Sequence, residues 1–285
     1  MSEPLSIGMC AQAACILDVT SPTKPGNVLL HTYSRNLTAT DLLLSGAAIG
    51  PVLDRAPFRR VGKTILDCVR ETRRVTNTNT NLGIVLLLTP LANVQPSLDL
   101  RGGLIRTLRR LDVADARAAY EAIRVAEPGG LETVAEQDVS SEPTVSLREA
   151  MALAADRDLV ARQYVNDFEQ VFEGAEFLRE EMPVTKEDVN DVVGQLFLRL
   201  LAKYPDSLIA RRHGRETAEE VSRRAQRLVE SRRRLDFPSV MELDTWLRSK
   251  GCNPGTTADL VVGSLFVAFR QNIIQLPLPL LGPLG

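Results

Sequence analysis

Hydrophobic residues recur every three or four positions along most of this chain, which is the spacing of helices that bury one face. Strictly alternating runs, which would indicate strands, are scarce. The pattern therefore predicts an all-α protein, built as one multi-helix, bundle-like domain. The predicted helices cover residues 5–19, 41–56, 61–75, 82–92, 98–111, 113–126, 147–155, 159–172, 186–202, 217–232, 240–250 and 258–271.

Two of these segments, residues 82–92 and 258–269, are apolar on nearly every face. A helix without a polar face is typical of a protein interior, so we expect residues 82–92 to form a buried central helix. Pro90 should end or kink that helix, because proline lacks the N–H group that would continue it. Thr40 is a candidate cap for the helix at residues 41–56.

Neither an internal repeat nor a linker rich in proline, serine or glycine divides the chain, so residues 1–285 are predicted to form one domain. Leucine and proline dominate residues 276–283, a composition that disfavours a helix. We therefore expect an extended tail from about residue 274. It would pack on the body of the protein or against a second copy in a homodimer.

Composition and charge exclude several classes of function. The net charge of −2 offers no general attraction to nucleic acid or to a membrane surface. The longest apolar run falls far short of the roughly 20 residues that span a bilayer, and the first residues show no evident secretory signal, so we expect none. Four cysteines without a Cys-x-x-Cys pair, and only two histidines, argue against structural zinc. These features favour a cytoplasmic protein with reduced cysteines.

The last helix carries the first candidate for chemistry. Asp259 lies in its first turn, and a carboxylate buried there is costly without a cation or hydrogen-bond donors. The preceding Gly255, Thr256 and Thr257 would present free backbone N–H groups, which make a helix N-terminus suitable for an anion. The alternative is that Asp259 only caps its own helix.

Two further segments contain charged residues that are candidates for binding a ligand. Asp206 is followed within two helical turns by Arg211 and Arg212, either at a pocket or as a surface ion pair. Lys24 lies between two prolines and before Gly26, where it would direct a charge at phosphate or remain an exposed turn lysine.

Two further polar segments have either a ligand-binding role or only a structural or surface role. Asn79, Thr80 and Asn81 precede the most apolar helix, and would bond either to helix ends or to a polar ligand. An acidic set around residues 143–144 would hold Mg²⁺ or form a solvated face; its members are Glu136, Asp138, Glu142, Asp156 and Asp158. No P-loop, dinucleotide-binding or nucleophile-elbow motif occurs.

Five segments, taken in order, resemble the triphosphoribosyl-dephospho-CoA synthases, also called ATP:dephospho-CoA triphosphoribosyl transferases. They are Pro-Thr-Lys-Pro-Gly at 22–26, Asn-Thr-Asn-Leu-Gly at 79–83, Pro-Thr-Val at 143–145, residues 206–214, and Asn-Pro-Gly-Thr-Thr-Ala-Asp-Leu at 253–260. The resemblance spans about residues 5–270 and implies an all-α fold.

The resemblance also implies an activity. ATP would donate its triphosphoribosyl group to the 2′-hydroxyl of 3′-dephospho-CoA, adenine would leave, and Mg²⁺ would accompany the triphosphate. Asp206 and Asp259 would act as Mg²⁺ ligand and general base, in either assignment. The predicted nucleotide-binding residues are Lys24, Gly26, Asn79, Thr80, Asn81, Arg211, Arg212, Gly255, Thr256 and Thr257.

Asn81 and Leu82 depart from the family pattern, which has histidine and lysine at these positions and so indicates a divergent branch here. The departure leaves two alternatives. One is a related ATP-dependent ribosyl or phosphoribosyl transfer in the assembly of a tetrahydromethanopterin-type C1 carrier. The other is a non-enzymatic helical partner protein that uses its arginine-rich helices and Leu-Pro tail as contact surfaces.

Overall fold

Helices form the described part of the chain, and no strand occurs among those residues. A computed structural model describes residues 4–30, 37–127, 138–182, 189–231 and 237–278. The α-helices are α1 (Ile7–Thr20), α2 (Ala39–Leu53), α3 (Val61–Val75), α4 (Leu82–Ala92), α5 (Leu100–Arg109), α6 (Val113–Ala126), α7 (Leu147–Ala152), α8 (Leu159–Gln163), α9 (Glu169–Glu181), α10 (Val189–Lys203), α11 (Ser207–His213), α12 (Arg215–Ser231), α13 (Phe237–Ser249) and α14 (Gly255–Arg270), with a 3₁₀ turn at Ala56–Phe58. The predicted all-α class is confirmed.

Helices α4 and α14 lie at the centre of the core. Helix α14 packs against α1, α4, α9 and α10, and all its residues from Leu260 to Phe269 are buried. In α4 every residue except Gly83 is buried. Both helices lack a polar face because neither has a side in contact with bulk water. The predicted central burial of α4 is confirmed.

Helix α4 does not end at Pro90, which was one of the two expected effects of this proline, but continues to Ala92. A proline at this position leaves the Leu86 carbonyl without its helical N–H donor. The buried Tyr164 hydroxyl donates a hydrogen bond of 2.7 Å to that carbonyl. A side chain from a neighbouring segment therefore replaces the missing backbone bond, and the helix stays intact.

Other predicted boundaries were wrong in detail. Residues 159–172 form two helices, α8 and α9, because Asp167 and Phe168 adopt positive φ angles of 57° and 61° between them. The cap of α2 is Thr38, whose side chain and Asp41 form a reciprocal capping box, so the expected Thr40 cap was misplaced by two residues. Helix α11 was not among the predicted helices.

Some predictions fall partly or wholly on residues that are not described. The described tail residues 275–278 are not helical, as expected, whereas residues 279–285 lie outside the described part. So do residues 128–137 of the mid-chain loop, including Glu136. Of the described helices, none combines the length and apolar character needed to cross a bilayer.

Candidate active site

A cavity of about 1010 Å³ opens where the first turns of α4 and α14 meet α8 and α11. Its volume lies at the upper end of the roughly 300–1,000 Å³ range of ligand pockets, which suits a large ligand or two ligands. The predicted site residues that line it are Asn79, Thr80, Asn81, Arg211, Arg212, Gly255, Thr256 and Asp259. The tertiary structure thus brings together segments that are far apart in the chain.

The Asp259 carboxylate occupies the point where α4 and α14 begin. It is half-buried, lines the cavity, and has no hydrogen-bond or ion-pair partner within the described residues. Burial raises its pKa well above the ordinary value, and the negative charges of Asp206 and Asp18 raise the pKa further. The alternative that Asp259 caps its own helix is not what the structure shows, because Pro254 is the N-cap residue.

Gly83 in the first turn of α4 makes room for this carboxylate. A Cβ atom built on Gly83 would lie 2.1 Å from Asp259 Oδ2, closer than any real contact. The backbone of α4 therefore runs directly against the side chain of Asp259. Only glycine at this position lets the two helix starts approach so closely.

Replacing Gly83 by alanine is expected to lower turnover by about 10–100-fold, because the new methyl group displaces the Asp259 carboxylate. The melting temperature should change little, because the higher helix propensity of alanine, about 1 kcal/mol, offsets the cost of displacing the carboxylate. Steady-state kinetics and thermal unfolding test this. Gly102→Ala is the matched control, because Gly102 also faces a carboxylate in a first helical turn but lies outside the cavity lining. Unchanged turnover in Gly83→Ala would contradict the expectation.

The Asp206 carboxylate has a different setting from that of Asp259. It is fully buried, and its Oδ1 accepts hydrogen bonds from the backbone N–H groups of Leu208 and Ile209 at 2.9 and 3.0 Å. Its Oδ2 accepts from the N–H and the hydroxyl of Thr257, at 2.7 and 2.8 Å. Asp206 therefore caps α11 and ties that helix to the start of α14. It does not line the cavity, and neither does Thr257.

Arg211 supplies a cation to the opposite wall. Its Nη1 lies 3.2 Å from Asp158 Oδ2, and Asp158 Oδ1 accepts from the first backbone N–H groups of α8. The Nε atom of Arg211 is buried without a hydrogen-bond partner among the described residues. Arg157 and Arg212 also line the cavity and are exposed. This wall offers several guanidinium donors to an anion.

Side chains of the Asn79–Asn81 run support the start of α4, and one of them also has a donor without a partner among the described residues. The Asn79 side chain accepts from the Leu82 N–H at 3.2 Å, and the hydroxyl of Thr80 lies 2.5 Å from that of Ser45. Asn81 Oδ1 accepts from the Thr72 hydroxyl, whereas Asn81 Nδ2 is buried without a partner within the described structure. The run therefore serves the helix start and also leaves one amide donor beside the cavity.

The loop with Lys24 is folded inward, which corrects the expectation that its ammonium contacts phosphate. Lys24 is 0% exposed, and its Nζ lies 2.7 Å from Asp18 Oδ1. Gly26 adopts a φ of 77° and donates its N–H to Asp244 at 2.7 Å, and neither Lys24 nor Gly26 lines the cavity. The two residues shape the loop from behind the cavity wall.

Asp18 is a cavity residue that the sequence interpretation missed. It is the only charged residue in α1, among apolar neighbours, and this is the signal that had singled out Asp259 in α14. Of the acidic set, Asp138, Asp156 and Asp158 line the cavity. Glu142 instead pairs with Arg117 at the surface, away from the cavity lining.

Carboxylates and guanidinium groups both face the cavity, but no preformed metal cluster does. Within the described residues, no three histidine, cysteine, aspartate or glutamate side chains are placed to hold a metal ion. Mg²⁺ in nucleotide enzymes takes one or two carboxylates and completes its shell with phosphates and water. The unpartnered carboxylate of Asp259 fits such a ligand, whereas the fully hydrogen-bonded Asp206 does not.

Comparisons with known proteins show the family to which the chain belongs. Residues 4–276 match the model of the family described as ATP:dephospho-CoA triphosphoribosyl transferase. The crystal structure of a proposed triphosphoribosyl-dephospho-CoA synthase from Archaeoglobus fulgidus is 30% identical and superposes with a TM-score of 0.63. That match covers 79% of this chain and 97% of the other. No curated protein matches the chain.

Proposed function

The chain belongs to the family of ATP:dephospho-CoA triphosphoribosyl transferases, and on that basis we propose that it transfers the triphosphoribosyl group of ATP to 3′-dephospho-CoA. The protein is a transferase, so the alternative of a non-enzymatic partner protein is set aside. The observation in the structure that supports the proposal is the cavity in which an unpartnered carboxylate, Asp259, faces a wall of arginines. Because ATP and dephospho-CoA are intracellular metabolites, the proposal places the protein in the cytoplasm.

The reaction exchanges one bond for another at the anomeric carbon of the ATP ribose. The bond from C1′ to N9 of adenine breaks, and a bond from C1′ to the 2′-oxygen of the acceptor forms. The acceptor hydroxyl loses its proton, adenine leaves with a proton on the ring, and all three phosphates stay on the product. Such displacements pass through a transition state with positive charge on the sugar ring.

Asp259 is the group best placed to take the acceptor proton. A general base works best when its pKa approaches the operating pH, and burial together with nearby negative charge raises the pKa of Asp259. Asp206 serves instead as a positioning residue, because its hydrogen bonds to Thr257 hold the start of α14 from which Asp259 projects.

The triphosphate fits the wall formed by α8 and α11. Arg211 is held there by Asp158 and keeps an unpartnered Nε, while the exposed guanidinium groups of Arg157 and Arg212 extend the same wall. The first backbone N–H groups of α4 and α14, at Gly83 and Thr256, add the positive ends of two helices. Mg²⁺ bound with ATP would neutralise phosphate charge. Because a carboxylate that coordinates the ion cannot also take the acceptor proton, the ion would be held by phosphate oxygens and water when Asp259 acts as the base.

The direct test is to incubate the purified protein with MgATP and 3′-dephospho-CoA and to follow adenine by chromatography. We expect one adenine per acceptor consumed and a product whose mass includes the whole triphosphoribosyl group. Chelation of Mg²⁺ by EDTA should stop the reaction, and added Mg²⁺ should restore it. Release of ADP, AMP or pyrophosphate in place of adenine would contradict the proposal. Adenine release that requires a different acceptor would favour transfer in the assembly of another cofactor.

Replacing Arg211 by alanine is expected to raise the KM for ATP at least tenfold, because a guanidinium hydrogen bond to phosphate is worth about 1.5–3 kcal/mol. Arg211→Lys keeps the charge but not the Nε donor, so its KM for ATP should lie between those of the wild type and Arg211→Ala. Arg70→Ala is the control, since Arg70 pairs with Glu121 and lies outside the cavity lining. An unchanged KM for ATP in Arg211→Ala would place the triphosphate elsewhere.

A further inference from the structure

The buried ion pair between Lys24 and Asp18 has no role in the reaction described so far. The lysine is 0% exposed and the aspartate 4% exposed, and their charged atoms lie 2.7 Å apart. Apart from this ion pair, neither Lys24 Nζ nor Asp18 Oδ1 has a hydrogen-bond partner among the described residues. Removing two charges from water costs several kcal/mol per ion, and one ion pair often fails to offset that cost. The pair is therefore a poor device for stability alone.

Only one of the two charged residues lies at the cavity. Asp18 lines the large cavity, as Asp259 does, whereas Lys24 lies behind Asp18 and does not reach the cavity. Asp18 also borders a small second space of about 20 Å³, shared with Asn81 and Ile84. The Asp18 carboxylate therefore faces the cavity, while the ammonium group of Lys24 that neutralises it does not. Burial raises the pKa of Asp18, and the Lys24 ammonium opposes that rise.

We propose that Asp18 is a second catalytic carboxylate, which faces the donor ribose, and that Lys24 is the positioning residue that holds it there. The inference rests on the proposed function, because it assigns a role in the ribosyl transfer. A fixed negative charge in a site shielded from water stabilises positive charge that develops on the sugar ring. Lys24 contributes by holding the carboxylate in place and charged before substrate arrives.

The same geometry separates this role from phosphate binding. A triphosphate beside Asp18 would meet a like charge, whereas the wall with Arg211 and Arg212 offers opposite charge. Loss of Lys24 or Asp18 should therefore impair the chemical step and leave ATP binding largely intact. Loss of an arginine on the other wall should do the reverse.

The test is a double-mutant cycle of Asp18→Asn, Lys24→Met and the pair together. Each variant is measured for the melting temperature, for kcat of adenine release and for the KM for ATP. We expect both single variants to lose about 10²–10³ in kcat, with the KM for ATP within about threefold of the wild type. Lys24→Met should also melt at a lower temperature, because it leaves a buried charge unpaired.

The double variant separates function from stability. It removes both buried charges, so its melting temperature should recover, while kcat should stay as low as in Asp18→Asn. Lys63→Met is the control, since Lys63 pairs with Asp67 at the surface outside the cavity lining; it should leave both kinetic parameters unchanged.

Three results would overturn the inference. Recovery of kcat together with stability in the double variant would show that the pair is purely structural. A KM for ATP raised tenfold with unchanged kcat in Lys24→Met would make Lys24 a phosphate ligand. Wild-type kcat in Asp18→Asn would remove Asp18 from the reaction. Failure of the wild-type protein to release adenine with any acceptor is a different result, because it overturns the proposed function itself.

Discussion

Asp259→Asn is expected to lower the rate of adenine release by about 10²–10⁴-fold and, at the same time, to raise the melting temperature near neutral pH. The rate falls because the amide cannot accept the acceptor proton. The stability rises because the half-buried wild-type carboxylate lies near negative charges and has no partner among the described residues, and the neutral amide removes that repulsion. A residue that matters only for the fold would not move the two quantities in opposite directions.

The gain in stability should depend on pH in a defined direction. The folded state raises the pKa of Asp259 well above the ordinary value of 3.8, so the folded protein binds the proton more tightly than the unfolded chain does. The stabilising effect of that proton is complete below the unfolded pKa and is lost as the pH rises through the folded pKa. Thermal unfolding should therefore show the advantage of Asp259→Asn at pH 7–8 and its disappearance towards pH 4, near the ordinary pKa of an aspartate.

Glu142→Gln provides the matched control for Asp259→Asn. Glu142 is exposed, pairs with Arg117 and does not line the cavity, so the loss of its charge should leave both rate and melting temperature nearly unchanged. A fully active Asp259→Asn enzyme would remove this residue from the mechanism. An inactive variant that melts at a lower temperature would instead indicate that Asp259 supports the fold.

Asp206→Ala is expected to cause the largest loss of stability among single changes at the site, about 3 kcal/mol or more. Four hydrogen bonds to one buried carboxylate disappear, and the donors of Ile209 and Thr257 lose their acceptor, whereas the Leu208 N–H keeps the Thr256 hydroxyl. For a chain of this size the melting temperature should fall by roughly 10 °C. Activity should fall with it, because the contact between the starts of α11 and α14 is lost.

Asp206→Asn distinguishes a positioning role from a catalytic one. Asparagine keeps one acceptor oxygen and can still cap α11, but its NH₂ group cannot accept from the Thr257 N–H, so this variant should retain part of the stability and part of the activity. Thermal unfolding and adenine release, measured on the same samples, decide between the roles. Asp206→Asn with wild-type stability and no activity would return Asp206 to the catalytic group.

Periodicity predicted most of the helices because burial of one face is a local property of the sequence. Helices α3, α4 and α6 begin and end at the predicted residues. The boundary between α8 and α9 was missed because the turn at Asp167 and Phe168 interrupts a helical pattern without glycine or proline. Helix α11 was missed because its seven residues carry too short a pattern to show a period.

The candidate site was predicted in part, and the errors have one physical origin. The motifs identified Asp259, Arg211 and the Asn79–Asn81 run, all of which line the cavity. They also suggested that the Lys24 ammonium faces a ligand, whereas the fold turns it inward onto Asp18. A motif states which residue types are present. The direction in which a side chain points depends on neighbours from other parts of the chain.

The sequence by itself determined the helical class, the burial of α4 and α14, and the family through five separated segments, because these depend on local pattern and residue type. Only the tertiary structure decided how the charges are used. Packing of α11 against the start of α14 adds two donors from Thr257 to the two that Asp206 has in its own helix, while the approach of Gly83 leaves Asp259 open to the cavity. The carboxylates of Asp206 and Asp259 have different roles because the energy and the pKa of a buried carboxylate depend on the donors and charges that the fold places around it.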